Sequence, residues 1–313
     1  MARAYAPPKT TNGASMTDTL ARLRLGIIAD PQYADLDPDR ERDRYFRRSL
    51  DKLGEAVQHF NAQSLDAVVV LGDLIDRGWE NFPPVLDLLE TLQAPRILLP
   101  GNHDFMVDPA RLAQVYPRLG MPAPYHAVRM KGLRLLVTDG NEISLFAPPE
   151  GDPRRIEAEQ RLAALREQGA PNANRWNAGI SDRQMTWIAD QLAAAEESGE
   201  DVILLGHYPI YPPSDHALWG AEALSGLIAE SSSALAYLNG HQHTGNYAEK
   251  NGVHFVNFRG MVDTEHQNAF AVLSIFDDRI EIAGHGREPD RSLQLRPGKR
   301  RTGIFADNSL TAC

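Results

Sequence analysis

The chain has 313 residues, 42 % of them apolar, which is enough for one large domain or two small ones with a sizeable core. Thirty-two Lys and Arg against 42 Asp and Glu leave a formal charge of −10. That excludes a general binder of nucleic acid, which needs basic surface to displace counterions, and favours a small substrate held in a local site. The one cysteine, Cys313, allows no intrachain disulfide and no cysteine metal site, in keeping with a reducing compartment.

The first twenty residues, MARAYAPPKTTNGASMTDTL, lack the apolar core of a secretory signal. Runs such as Ala67–Leu71 are too short to span a bilayer. A soluble cytoplasmic protein without membrane contacts is expected. Residues 1–22 read as a disordered tail, with Met16 as an alternative start to Met1, and residues 297–313 as a loosely held tail. Residues 23–296 read as a single domain.

Along that domain one local design recurs. Leu25-Gly26-Ile27-Ile28-Ala29 runs into Asp30, and Ala67-Val68-Val69-Val70-Leu71 into Gly72-Asp73. Ile97-Leu98-Leu99 runs into Gly101-Asn102-His103-Asp104. Val202-Ile203-Leu204-Leu205 runs into Gly206-His207, and Leu235-Ala236-Tyr237-Leu238 into Gly240-His241-Gln242-His243. Continuous apolar runs of this length predict strands buried on both faces. Phe46, Leu50, Leu53, Val57 and Phe60 predict a helix, residues 84–92 a shorter one, and Ser181 to Gln184 has capping-box spacing before Met185, Ile188 and Leu192. Strands alternating with helices predict an α/β fold, whose ligands gather at the carboxyl ends of strands. Residues 142–180, rich in Pro, Gly, Asn and Arg, read as an insertion over the active face, with one helix near 154–167. The short strand patterns after residue 250 are expected to complete a second sheet.

Asp30, Gln32, Asp73, Asn102, His207, His241 and His243 form a ligand set of the size two divalent ions require, with positions left for water and substrate. Oxygen mixed with imidazole suits Mn, Fe, Zn or Co better than Ca, and Gln32 tilts the choice toward Mn. Each fragment alone is weak: a glycine–aspartate pair is often a turn, and a lone histidine is often structural. Five chemical turns, each after a buried-strand pattern, form a strong joint signal.

Asp-x-Gln, Gly-Asp-x-x-Asp, Gly-Asn-His-Asp, Gly-His and Gly-His-x-His, in this order over roughly residues 24–285, resemble the calcineurin-like metallophosphoesterase superfamily. Gln32, where members usually carry histidine, points to a subgroup. The stretches around Asp30 to Asp35, Arg44 to Leu50, Asn177 to Ser181, His207 to Pro212 and Gly284 to Arg291 resemble the manganese-dependent ADP-ribose/CDP-alcohol diphosphatases. The resemblance implies a four-layer αββα sandwich of two mixed sheets flanked by helices. It implies one metal held by Asp30, Gln32, Asp73 and His243, and a second by Asp73, Asn102, His207 and His241. It also implies His103 as the group that stabilises charge at phosphorus or protonates the leaving oxygen. Three features depart from the pattern: a short, charged Asp35 to Asp43 loop without an aromatic, Asp104 in place of Glu, and Gln242 in place of Thr.

The expected reaction is attack of a metal-bridging hydroxide on a phosphoanhydride of a small nucleotide-derived substrate, ADP-ribose or CDP-alcohol in type. The rivals are a phosphodiesterase for cyclic nucleotides or glycerophosphodiesters, a phosphomonoesterase, and a non-catalytic scaffold, whose signature would be lost ligands. Arg44, Tyr211 and His216 are the candidate substrate contacts. Asp76 and Arg77 read equally well as groups that orient a ligand or as a solvated pair, and Trp176 as a base-stacking platform or a packing residue. Oligomeric state is not legible.

Overall fold

The computed structural model describes residues 20–296 and the backbone of 311–312. The two expected tails lie outside the described residues, apart from 20–22 and 311–312. The first half of the chain runs β1 (Leu23–Ile28), α1 (Arg48–Asn61), β2 (Ala67–Leu71), α2 (Phe82–Leu89), β3 (Arg96–Leu99), α3 (Val115–Arg118), β4 (His126–Met130) and β5 (Leu133–Val137). It continues with α4 (Pro153–Glu167), α5 (Asp182–Ser198), β6 (Asp201–Leu205), α6 (Ala221–Glu230), β7 (Ala234–Asn239), β8 (Asn246–Lys250) and β9 (Val253–Asn257). Then come β10 (Ala269–Ile275), β11 (Arg279–Gly286), β12 (Arg291–Gln294) and β13 (Thr311–Ala312).

Two mixed sheets result, ordered β12-β11-β10-β1-β2-β3 and β13-β4-β5-β6-β7-β9-β8. The period-2 alternation of side chains decides what lies between them. Leu25, Ile27, Val69 and Leu71 face Leu135, Val137, Ile203, Leu205 and Leu238 in one inner core. The alternate residues Ile28, Val68 and Val70 pack outward on Leu53, Phe60 and Phe82 of α1 and α2. Leu136, Val202 and Leu204 pack outward on Ile188, Leu192, Leu224 and Ile228 of α5 and α6. Four layers follow, helix–sheet–sheet–helix, and because both faces of the central strands are covered, their sequences read as unbroken apolar runs.

Three expectations change. β9 joins the second sheet, but β10, β11 and β12 return to the first, where β10 lies antiparallel to β1 with Leu25 opposite Leu273. Strand patterns fix that these segments are strands, not which edge they join. Helix α1 starts at Arg48, so Phe46 lies before it and packs with Ala34 and Val262, pinning the turn after β1 to the loop after β9. Ser181 caps α5 by accepting from the Gln184 amide (3.1 Å), but the Gln184 side chain turns to Asp139 and Glu142 instead of back to Ser181. The box is half made.

Two hairpins carry signals the pattern reading did not use. Lys131-Gly132 between β4 and β5, and Asn251-Gly252 between β8 and β9, have positive φ at both positions (51° and 74°, 51° and 73°). That is the geometry of the tight hairpin turn that Asn-Gly favours.

Candidate metal centre

The carboxyl ends of β1, β2, β3, β6 and β7 meet at one end of the sandwich and bring all seven expected ligands into a single buried cluster. Four of them, Asp30, Gln32, Asp73 and His241, hold left-handed backbone at φ of 49°, 42°, 52° and 68°. Each such residue costs about 1–3 kcal/mol, and such strain gathers where a side chain must be aimed. Gly101 is there for space: a Cβ would stand 2.1 Å from Asp73 Oδ1 and 2.5 Å from His207 Cε1.

The three imidazoles share one arrangement. His207 donates from Nδ1 to the Leu71 carbonyl (2.8 Å), His241 from Nε2 to Asn177 Oδ1 (3.1 Å), and His243 from Nδ1 to Asp263 Oδ1 (2.8 Å). An oxygen partner on one nitrogen fixes the ring and leaves the other nitrogen as the ligand atom. Those remaining atoms turn toward the carboxylates. His207 Nε2 lies 3.4 Å from Asp73 Oδ2, 3.2 Å from Asn102 Oδ1 and 3.2 Å from His241 Nδ1. His243 Nε2 lies 3.8 Å from Asp30 Oδ1. Asp73, His207 and His241 each offer an atom within 4.8 Å of the others, a grouping able to hold an ion.

The electrostatics carry the same mark. Burial would raise the Asp73 carboxyl, but His207 and His103 hold it well below the usual carboxylate range. Burial raises Asp30 to about 6, against the pull of His243 and His207. Burial would lower His207, but Asp73 and Asp30 push it up to about 9, whereas burial and the His207 charge keep His241 far below its usual value. A proton on His207 Nε2 therefore sits among acceptors that a cation would otherwise share. Gln32 donates from Nε2 to Asp73 Oδ2 (3.0 Å), yet its buried Oε1 has no partner, and neither does the buried Nε2 of His243. Buried polar atoms are nearly always satisfied, so two unpartnered ligand atoms in this carboxylate-bearing cluster fit a divalent cation. The donor set suits the expected divalent ions.

His103 stands beside this cluster. Its backbone N–H donates to Asp73 Oδ1 (2.8 Å), and its Nδ1 lies 3.1 Å from Asp76 Oδ1 and 3.0 Å from the Asp76 carbonyl. Burial would lower the ring, but Asp73 and Asp76 raise it above its ordinary value. Asp76, almost wholly buried, is thus an orienting group, and it also accepts from Arg77 Nε at 2.6 Å.

Of the three expected substrate contacts, His216 comes to the cluster, with its ring centroid 5.5 Å from that of His241. Arg44 reaches its edge through a backbone bridge to Asp263. Tyr211 does not join it: its ring packs on Phe255 and under the Lys250 ammonium. Residues 142–180 build a small core of Ile143, Leu145, Ala158 and Leu162 with Trp219, and carry Asn177 to His241. Trp176, next to it, is 48 % exposed. The sequence reading gave no role to Asn177 or Asp263. Asn177 lay within a noted motif, but Asp263 had no local signal.

The calcineurin-like phosphoesterase family model matches residues 23–245. The mouse manganese-dependent ADP-ribose/CDP-alcohol diphosphatase is 30 % identical over 87 % of this chain and 93 % of its own length. The crystal structure of a dimetal phosphatase from Danio rerio superposes with a TM-score of 0.77 at 24 % identity, covering 88 % of this chain and all of that one. GAP50, the anchor in the inner membrane complex of Plasmodium, shares the architecture more distantly, with a TM-score of 0.52 at 13 % identity over 88 % of this chain and 90 % of its own. By its matching model and its diphosphatase relatives, this chain belongs to the calcineurin-like phosphoesterase family of metal-dependent hydrolases.

Proposed function

We propose that the chain hydrolyses the phosphoanhydride of small nucleoside diphosphate-linked substrates, of the ADP-ribose or CDP-alcohol type, using two divalent ions, manganese first among them. The observation that carries the chemistry is the convergence of three oriented imidazoles on two buried carboxylates, with two buried ligand atoms left unpartnered. The substrate class is supported by the similarity to the mouse diphosphatase over nearly its whole length.

In this reading Asp30, Gln32, Asp73 and His243 hold one ion, and Asp73, Asn102, His207 and His241 the other. Bound divalent ions supply charge neutralisation at the phosphoryl oxygens and lower the pKa of water. The chain supplies the rest. Hydrogen bonds from the His241 amide to both Asp30 oxygens (3.1 and 3.0 Å) and from the His103 amide to Asp73 fix the carboxylates. His103 Nδ1 is held by Asp76, so its Nε2 is the atom that gives a proton to the leaving oxygen. Water oxygen joins phosphorus and gives up a proton to solvent, the bridging P–O bond breaks as His103 protonates the leaving oxygen, and the products are a nucleoside monophosphate and a sugar or alcohol phosphate. His216 and Trp176 offer ring surface at the rim for the nucleoside. Among the described residues no helix is long and apolar enough to cross a membrane. With a single cysteine in the chain, we assign it to the cytoplasm.

The test is product analysis with added Mn on ADP-ribose, CDP-choline, cyclic AMP and p-nitrophenyl phosphate. AMP plus ribose 5-phosphate, or CMP plus phosphocholine, at the highest kcat/KM supports the assignment. Preference for cyclic AMP makes the chain a phosphodiesterase, and preference for the simple ester a phosphomonoesterase.

A further inference from the structure

Lys52 lies on α1, on the helix face turned to the first sheet, and is 5 % exposed. Lysine is almost never buried without an anion beside it. Here the ammonium donates to three carbonyls of one short stretch: Met261 (2.9 Å), Asp263 (2.8 Å) and Thr264 (2.5 Å). All three of its protons are used. A second cation converges on the same stretch. Arg287, between β11 and β12, donates from one terminal nitrogen to the carbonyls of Gly260 and of Asp263 (3.2 Å), while its buried Nε has no partner. Two cations thus clamp the five residues from Gly260 to Thr264.

That stretch has one anionic side chain, Asp263, which accepts from His243 Nδ1 at 2.8 Å. The contact is close on both sides. The Gly260 amide donates to the His243 carbonyl (3.1 Å), and a Cβ on Gly260 would stand 2.6 Å from His243 Cγ. The loop is therefore the seat of His243. It is not the seat of His207 or His241, whose outer nitrogens rest on Leu71 and Asn177.

We propose that Lys52, seconded by Arg287, is a positioning residue for one metal ion only: it fixes the loop whose Asp263 aims His243 Nε2. The inference rests on the assignment of Asp30, Gln32, Asp73 and His243 to a common ion. No motif links Lys52 to the site, because it acts on backbone carbonyls more than 200 residues away. It is not a catalytic residue, since no contact joins it to the cluster itself.

The experiment measures Mn binding to metal-free full-length protein by titration calorimetry and low-temperature electron paramagnetic resonance. K52M removes all three donors, and K52Q keeps part of them in case K52M does not fold. R134M is a matched control: Arg134 is as buried, but bonds to Glu200 and Gln191. Wild type should bind two ions and give a spin-coupled signal. The Lys52 variants should keep one ion at wild-type affinity and lose the other roughly tenfold to hundredfold, the usual cost of losing a group that orients a ligand. The signal should become that of isolated Mn, and R134M should match wild type. Two ions held normally by the Lys52 variants, equal weakening of both, or the same loss in R134M would overturn the proposal. A wild type that holds one ion or none overturns the two-ion assignment as well, so the two failures are told apart by the wild type.

Discussion

In the half of the site fed by β3, β6 and β7, the ligand atoms hydrogen-bond to one another: His207 Nε2 meets Asn102 Oδ1 and His241 Nδ1, each at 3.2 Å. In the half formed by the turn after β1 and by His243, which the loop after β9 backs, Gln32 Oε1 and His243 Nε2 are buried without a hydrogen-bond partner. A buried polar atom without a partner costs about 1–3 kcal/mol. The first half therefore holds its own shape without an ion, whereas the second depends on the ion and on a clamp applied from behind by Lys52 and Arg287. Equal ligand counts conceal unequal construction.

The largest effect belongs to the residue both halves share. Asp73→Ala should abolish binding of both ions and lower kcat/KM on the order of 10⁴-fold or more. Metal analysis beside steady-state kinetics checks this, and a variant that still holds one ion tightly would show that Asp73 serves one half alone. His103→Ala comes next. It should leave two ions bound while kcat on the diphosphate substrate falls about 10²–10⁴-fold. Unchanged turnover would remove His103 from the chemistry.

Asn177→Ala and Asp263→Ala sharpen the contrast itself. Each should weaken metal binding by about 10–100-fold, the first through His241 and the second through His243, and therefore on different ions. Weakening of the same ion by both would mean the halves are not separate. The smallest effect lies away from the ligands. Asp139, after β5, accepts from Tyr116 (2.8 Å) and from the Asn141 amide (3.0 Å), and burial raises its carboxyl to about 7. A folded-state pKa above the unfolded value of about 3.9 means the folded chain holds this proton longer. Its stabilising contribution is complete below the unfolded pKa and is lost as pH rises through about 7. Asp139→Asn should thus show a smaller fall in Tm between pH 5 and pH 8 than wild type in parallel melts, and an equal or greater fall would contradict the assignment.

The half-site with self-paired ligands was also the more legible one. Asn102, His207 and His241 each follow an apolar run and a glycine, so a local pattern announces them, and the runs are unbroken because two sheets and two helix layers bury both faces. The supports were not legible. Lys52 acts across more than 200 residues of sequence, Asp263 has no motif around it, and Asn177 reaches His241 from a loop with no regular pattern. Nor could strand patterns say that β10 to β12 return to the first sheet, since a buried strand reads alike at either edge. Asn251-Gly252 did carry a local signal, a hairpin turn, that chain periodicity passes over.

The most direct test of the account is a crystal structure with Mn, with anomalous diffraction recorded at its absorption edge. Two peaks are expected, one in contact with Gln32 Oε1 and His243 Nε2, the other with His207 Nε2 and His241 Nδ1, and Asp73 between them. A single peak, or ligation through the nitrogens now bound to Leu71, Asn177 or Asp263, would contradict it.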